Sequence, residues 1–318
     1  NVFFVPEDAR WDKIATAAHK PEIGSVIDNA MRAIEAGNKK LKNVLPKNYG
    51  NPDLDKRILG DVVDLFTNMD MSETEGHKDM LGRTYEYCIA QFAAKEGKGG
   101  GEFYTPASIV STLVAILKPY SNCRVYDSSC GTGGFLVQAM THVISQLEKQ
   151  ISDSLGIPKE KWDNDTLRMF QDKISEMASQ NYFGFDINPD LVKATKMNMV
   201  MNNDGSGNIL QTNSLLPPHE WSDDFRTRLS EAVGVKKSDI KNYKTISFFD
   251  VIVTNPPFGS KIPIKDRNIL EQFELAHIWV NDKKKGTWTM TDRLQSSVPP
   301  EILFIERCTQ FLVPGGRM

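Results

Sequence analysis

The chain has 318 residues, 40% of them hydrophobic and 25% charged, enough to bury one large core and a smaller one and too apolar for a disordered protein. Its 38 basic and 41 acidic side chains leave a formal charge of −3, which speaks against the strong positive field of an autonomous duplex-binding protein. The four cysteines, Cys88, Cys123, Cys130 and Cys308, form no CxxC pair, so neither a metal site nor a disulfide framework is expected, and no run of about 18 apolar residues marks a membrane helix.

In chain order, residues 1–95 carry apolar positions at helical spacing, first Ile27, Met31 and Ile34 and then Ile58, Val62, Leu65 and Phe66. They read as a small helical domain. Residues 80–92 are a further amphipathic helix candidate, and the glycine-rich stretch 95–101 is a connector at which a second domain, 96–318, is expected to begin. From there short apolar runs alternate with amphipathic stretches. Strands are predicted at 123–127, 182–186, 208–211 and 250–254, and helices at 107–117, 134–150, 189–202 and 300–312. This alternation predicts an α/β fold, a mostly parallel Rossmann-like sheet with helices on both faces. Three polar segments, 151–180, 215–247 and 260–297, exceed ordinary loop lengths and are expected to hold extra helices or lids. Pro314-Gly315-Gly316 reads as a turn feeding a further strand, so both the sheet and the helical domain are expected to be incomplete.

Three strand ends carry chemistry. Thr254-Asn255-Pro256-Pro257-Phe258 follows the apolar run FDVIV, at the edge where parallel sheets bind ligands. Two prolines withdraw two backbone donors, so the loop is an array of acceptors. The Asn255 side-chain oxygen and the Pro256 carbonyl suit an exocyclic adenine amine, whose lone pair is delocalised into the ring, and Phe258 offers a face on which a flipped base can stack. Asp127-Ser128-Ser129-Cys130-Gly131-Thr132-Gly133-Gly134 follows another strand and opens a helix. Its glycines permit close backbone approach, and the helix start favours an anionic group. No Lys-Ser or Lys-Thr follows, as a P-loop needs, and the dinucleotide spacing is absent. At the next strand tip, Asp186 has the acceptors to hold two ribose hydroxyls, although alone it also reads as a helix cap. Thr105 with Pro106 is a natural helix start, and Asn213 lies where its side chain can meet an adenine ring.

Taken together, GEFYTP, DSSCGTGGF, GFDINP and NPPF in this order resemble the modification subunit of type I restriction-modification systems, within the N6-adenine DNA methylases. The resemblance implies a cytoplasmic S-adenosylmethionine-dependent enzyme that transfers methyl directly to adenine N6 in double-stranded DNA. It also implies two modification subunits per specificity subunit, with a restriction subunit as a further partner and no membrane. Glu102, Phe103, Tyr104, Thr105, Pro106, Ala107, Asp127, Gly131, Thr132, Gly133, Gly134, Asp186 and Asn213 would line the cofactor site. Asn255, Pro256, Pro257 and Phe258 would form the catalytic loop. The chain departs from the family at Ser128, often proline, and at Asn213, often aspartate, which keeps an acceptor but loses a charge.

Other readings remain open at this point. An Asn-Pro-Pro-aromatic loop also suits a protein glutamine or an RNA base, and the two departures suit a scaffold that has kept the fold without catalysis. A nicotinamide dehydrogenase fits the glycine spacing poorly.

Overall fold

A computed structural model describes residues 3–38, 41–42, 44–69, 87, 105–202, 206–241, 246–258, 263–284 and 286–318. The chain divides into two compact units, 1–88 and 89–318. The predicted connector 95–101 and most of the helix candidate 80–92 lie outside the described residues.

The first unit contains α1 (Trp11–Thr16), α2 (Ile23–Gly37) and α3 (Lys56–Thr67). Its core gathers Ile14, Ile23, Ile27, Leu59 and Val63. Gly24 and Gly60 allow close contact, since a Cβ there would collide with the carbonyl oxygens of Tyr49 and Ala18. Asp28, buried in α2, accepts from the backbone N–H groups of Tyr49 (2.9 Å) and Gly50 (3.1 Å). Of the positions read at helical spacing, Ile27 is buried, but Ile58, Val62 and Leu65 are exposed; Leu59 and Val63, one residue on, face inward instead.

In the second unit, α4 (Ala107–Leu117), β1 (Val125–Asp127), α5 (Gly134–Leu155), α6 (Asn164–Asn181), β2 (Tyr182–Asp186), α7 (Pro189–Met201), β3 (Ile209–Gln211) and α8 (Asp223–Val233) lead to β4 (Phe249–Ile252). Then follow α9 (Arg267–Leu270), the hairpin β5 (His277–Asp282) and β6 (Thr287–Leu294), α10 (Pro300–Phe311) and β7 (Leu312–Arg317). Five strands pair in the order β3-β2-β1-β4-β7, all parallel. Successive residues face opposite layers, as a pleated strand requires, except where β4 is irregular between Phe249 and Val251. Val125, Tyr182, Ile209 and Val251 pack with α4 to α7, including Val114, Leu136, Met140 and Val192. Tyr126, Phe183, Phe185, Phe249 and Ile252 pack with Phe225 and Leu229 of α8 and Phe311 of α10. The Tyr126 and Phe249 rings stack at 4.4 Å across the β1–β4 pair. The fold is thus the expected parallel α/β sheet between helical layers.

Two expectations are corrected. Pro314-Gly315-Gly316 is part of strand β7, not a turn: it lies where the pairing with β4 is irregular, and a proline without N–H is tolerated at such a bulge. Gly315 has φ +81°, and the pairing with β4 shifts register there. The segment 260–297 holds an antiparallel hairpin besides its short helical turns, whereas 151–180 and 215–247 carry helices as expected. Among the described residues no helix is long and apolar enough to cross a membrane.

Candidate functional site

The sheet's connections run outward on opposite sides of β1, to β2 and to β4, which places a crevice at the carboxyl end of β1. A cleft of 280 Å³ opens there. Thr105, Asp127, Gly131, Thr132, Gly134, Asp186, Asn213, Asn255 and Pro257 all line it, bringing together residues as far apart in sequence as Thr105 and Pro257. Gly133, Pro106 and Ala107 are not in its wall. Pro256 and Phe258 line an adjoining apolar groove with Leu113 and Ile305, and Phe258 is 60% exposed. Glu102, Phe103 and Tyr104 lie outside the described residues.

The glycine turn is held from beneath. Gly131 and Gly133 have φ of +52° and +83°, a region that glycine enters without strain. Thr195 and Asn198 of α7 donate to the carbonyl oxygens of Gly131 (2.6 Å) and Thr132 (3.0 Å), and a Cβ on Gly133 would lie 2.8 Å from Thr195 Cγ2. Sequence reading does not find Thr195 and Asn198, because they sit on a helix more than 60 residues away with no motif of their own.

Asp186 accepts from Gly131 N (2.9 Å) through one oxygen and Asn188 N (2.8 Å) through the other. Each oxygen keeps a further lone pair, which suits a vicinal pair of hydroxyls. The helix-cap reading is displaced: Asn188 caps α7, its side chain accepting from Asp190 N. Burial raises the Asp186 carboxyl above its usual range, against the lowering effect of these N–H groups. Asp127 is fully enclosed, and burial, helped by the charge of Asp186, pushes it up to about 7 against hydrogen bonds from Thr254 and Ser129. The Thr254 hydroxyl also meets Ser128 (3.1 Å) and Ser129 (3.0 Å), tying the β4 loop to the β1 loop. Burial pushes the Cys130 thiol far up, so it is no nucleophile.

Asn255 donates Nδ2 to Thr105 Oγ1 at 3.2 Å. Thr105 is therefore not the cap of α4; Pro106 takes that position without a side-chain bond. The Asn213 oxygen accepts from Leu215 N (3.0 Å) and keeps one lone pair toward the cleft it lines. Ile187, 66% exposed at the cleft rim, supplies an apolar wall beside Asp186. Hydroxyl-holding acceptors, an apolar rim and a glycine turn fit a nucleoside-bearing ligand.

This is an α/β protein whose cleft opens where the strand order of an open parallel sheet reverses. Residues 76–298 match the family described as N-6 DNA Methylase, and the chain belongs to that family; residues 1–66 match the HsdM N-terminal domain. The type I restriction enzyme MjaIX methylase subunit of Methanocaldococcus jannaschii is 29% identical over 259 residues, 81% of this chain and 37% of that protein. The HindI methylase subunit of Haemophilus influenzae is 38% identical over 154 residues, 42% of this chain and 34% of that protein. The chain thus spans little more than a third of the length of these curated relatives. Among solved structures, the type I restriction-modification methyltransferase subunit from Streptococcus thermophilus shares the fold with TM-score 0.56 at 17% identity, covering 99% of this chain and 55% of that one. A structure from work on complex assembly and conformational transition of the type I restriction-modification system gives 0.55 at 20% identity, covering 98% and 51%.

Proposed function

We propose that the chain is the catalytic part of a type I modification subunit, an enzyme that methylates adenine N6 in double-stranded DNA with S-adenosylmethionine. The observation that carries this reading is the Asn255 amide, whose nitrogen is engaged by Thr105 so that its oxygen is the end presented to a ligand. That oxygen and the Pro256 carbonyl accept the two amine N–H groups, hold the nitrogen in place and draw its lone pair away from the ring. Phe258, exposed beside them, stacks the base once it has left the duplex. Asp186 would hold the ribose hydroxyls of the cofactor, the Gly131 to Gly134 turn its amino-acid part, and Asn213 its adenine.

The bound cofactor supplies a methyl group on a positively charged sulfur. On transfer the methyl group would leave that sulfur for the amine, which would then lose a proton to solvent. The protein's work is alignment, since no covalent enzyme nucleophile is needed. The weakly acidic charge agrees with a division of labour in which a specificity subunit, clasped by two modification subunits, reads the DNA sequence, and a restriction subunit joins. On this reading residues 1–95 form the helical partner domain, residues 96–318 the catalytic one, and the protein works in the cytoplasm.

The test is transfer of labelled methyl from S-adenosylmethionine by full-length protein with its specificity subunit to unmethylated DNA, to RNA and to a glutamine-bearing protein, with the product nucleoside identified by mass. N6-methyladenine in the DNA supports the reading. Label in RNA or protein replaces the substrate class, and failure to bind cofactor at all leaves a scaffold.

A further inference from the structure

The β5–β6 hairpin has no part in the cleft, yet it is rooted at the cleft's rim. Ile264, which lines the cleft, pairs with Val298 in an isolated bridge, and Pro300 and Phe304 of α10 line it too. The root is rigid. Phe273, Ala276, Val298, Leu303 and Phe304 share one core cluster with Leu215 of the cleft wall. Arg307, fully buried, donates to Gln272 Oε1 (2.6 Å) and to the Leu215 carbonyl (3.3 Å). Glu306 accepts from the N–H groups of Glu274 and Leu275 just before β5.

Beyond that root the ribbon is exposed on both faces of β6, including Trp288 (62%) and Met290 (41%). A two-stranded hairpin is marginal in water by itself, so a large apolar side chain held out on one points to a partner surface. Trp279 is accounted for, its indole N–H donating to the Glu274 carbonyl at 2.9 Å; Trp288 has no such anchor among the described residues. The tip carries exposed Lys283 and Lys284 on a turn that Asp282 fixes by accepting from Lys284 N (3.0 Å). Residues 277–294 hold four Lys or Arg against two Asp, in a chain of net charge −3. The hairpin is thus the inverse of the molecule's overall charge.

We propose that this hairpin is a DNA-contacting arm, which grips the duplex beside the target adenine through Lys283 and Lys284 on phosphates and Trp288 against the groove. The inference rests on the DNA-methylating reading of the cleft. A ribbon whose longer strand has eight residues reaches about 25 Å at about 3.3 Å per residue. A major groove about 12 Å wide admits such a ribbon, and adenine N6 faces that groove.

The test uses the full-length protein with its specificity subunit and a 30-base-pair duplex containing the target. Binding is followed over a salt series for native protein, for the Lys283→Gln, Lys284→Gln double variant and for Trp288→Ala. With two modification subunits in the complex, and so two arms, the double variant is expected to lower the slope of log affinity against log salt by about 4, and Trp288→Ala to weaken DNA binding at unchanged slope. Both keep native affinity for S-adenosylmethionine, which shows the fold intact. Native slope and DNA affinity in all three overturn the arm. So does a double variant that binds DNA normally once assembled but assembles poorly, because the hairpin would then be a protein-docking element. A native complex that binds cofactor but methylates no DNA refutes the underlying reading instead.

Discussion

Thr105 and Asn255, 150 residues apart, meet in a 3.2 Å hydrogen bond from the Asn255 amide nitrogen to the Thr105 hydroxyl, which on the proposed reading leaves the amide oxygen for the target amine. Thr105→Val removes that acceptor and lets the amide turn. A hydrogen bond of about 1 kcal/mol corresponds to a fall in kcat of about tenfold or less, with cofactor affinity changed much less. Thr105→Ser keeps the hydroxyl and is expected to stay near the native rate. Steady-state kinetics of the two variants checks this; equal losses would mean that Thr105 merely fills space.

Asp127 gives the cleft a pH dependence. Its carboxyl sits at about 7 because it is buried and faces Asp186. A ligand with a positive charge nearby favours the ionised form, so binding releases a proton when the pH is below about 7. Affinity for S-adenosylmethionine is therefore expected to fall, by up to about tenfold per pH unit, as the pH drops through that value. Asp127→Asn should flatten the profile, which titration calorimetry at pH 5.5 to 8.5 measures directly.

The same group shapes stability. Asp127 titrates at 3.8 by its ordinary value and at about 7 when folded, so the folded state binds the extra proton between these limits. Stability from this group therefore falls as pH rises from about 4 to 7, by about 4 kcal/mol at most. Asp127→Asn is expected to match the native melting temperature near pH 4 and to exceed it at pH 8. A constant difference across pH would contradict this.

At Gly133, alanine meets both a φ of +83° and Thr195 Cγ2 at 2.8 Å. The left-handed backbone alone costs about 1–2 kcal/mol. Gly133→Ala is expected to lower the melting temperature by several degrees and weaken cofactor binding, whereas Gly134→Ala, with open space around its Cβ, leaves stability nearly unchanged.

Much of this arrangement is legible in the sequence where local signals are strong. The strand 182–186 and the helix 107–117 coincide with β2 and α4, because a fully buried apolar run and a Pro-initiated amphipathic stretch have sharp ends. The hairpin is harder to read inside a polar insertion, although the alternation Thr287-Trp288-Thr289-Met290-Thr291 after Gly286 is a strand signal. Thr195 and Asn198 leave no local mark, since their bonds span 64 and 66 residues, and Thr254, though it heads the Asn-Pro-Pro motif, gives no sign of bonds that span more than 120. The role of Thr105 is of the same kind: its sequence context says helix start, and only the packed sheet brings Asn255 to it.

The most direct test of the central claim is single-turnover methyl transfer to target DNA by native protein and by Asn255→Ala, each in complex with the specificity subunit, with cofactor affinity measured alongside. The native complex is predicted to form N6-methyladenine. The variant is predicted to bind S-adenosylmethionine within about twofold of native while transfer falls by about a hundredfold or more, as the loss of a preorganised acceptor implies. Transfer by Asn255→Ala at the native rate would contradict the account.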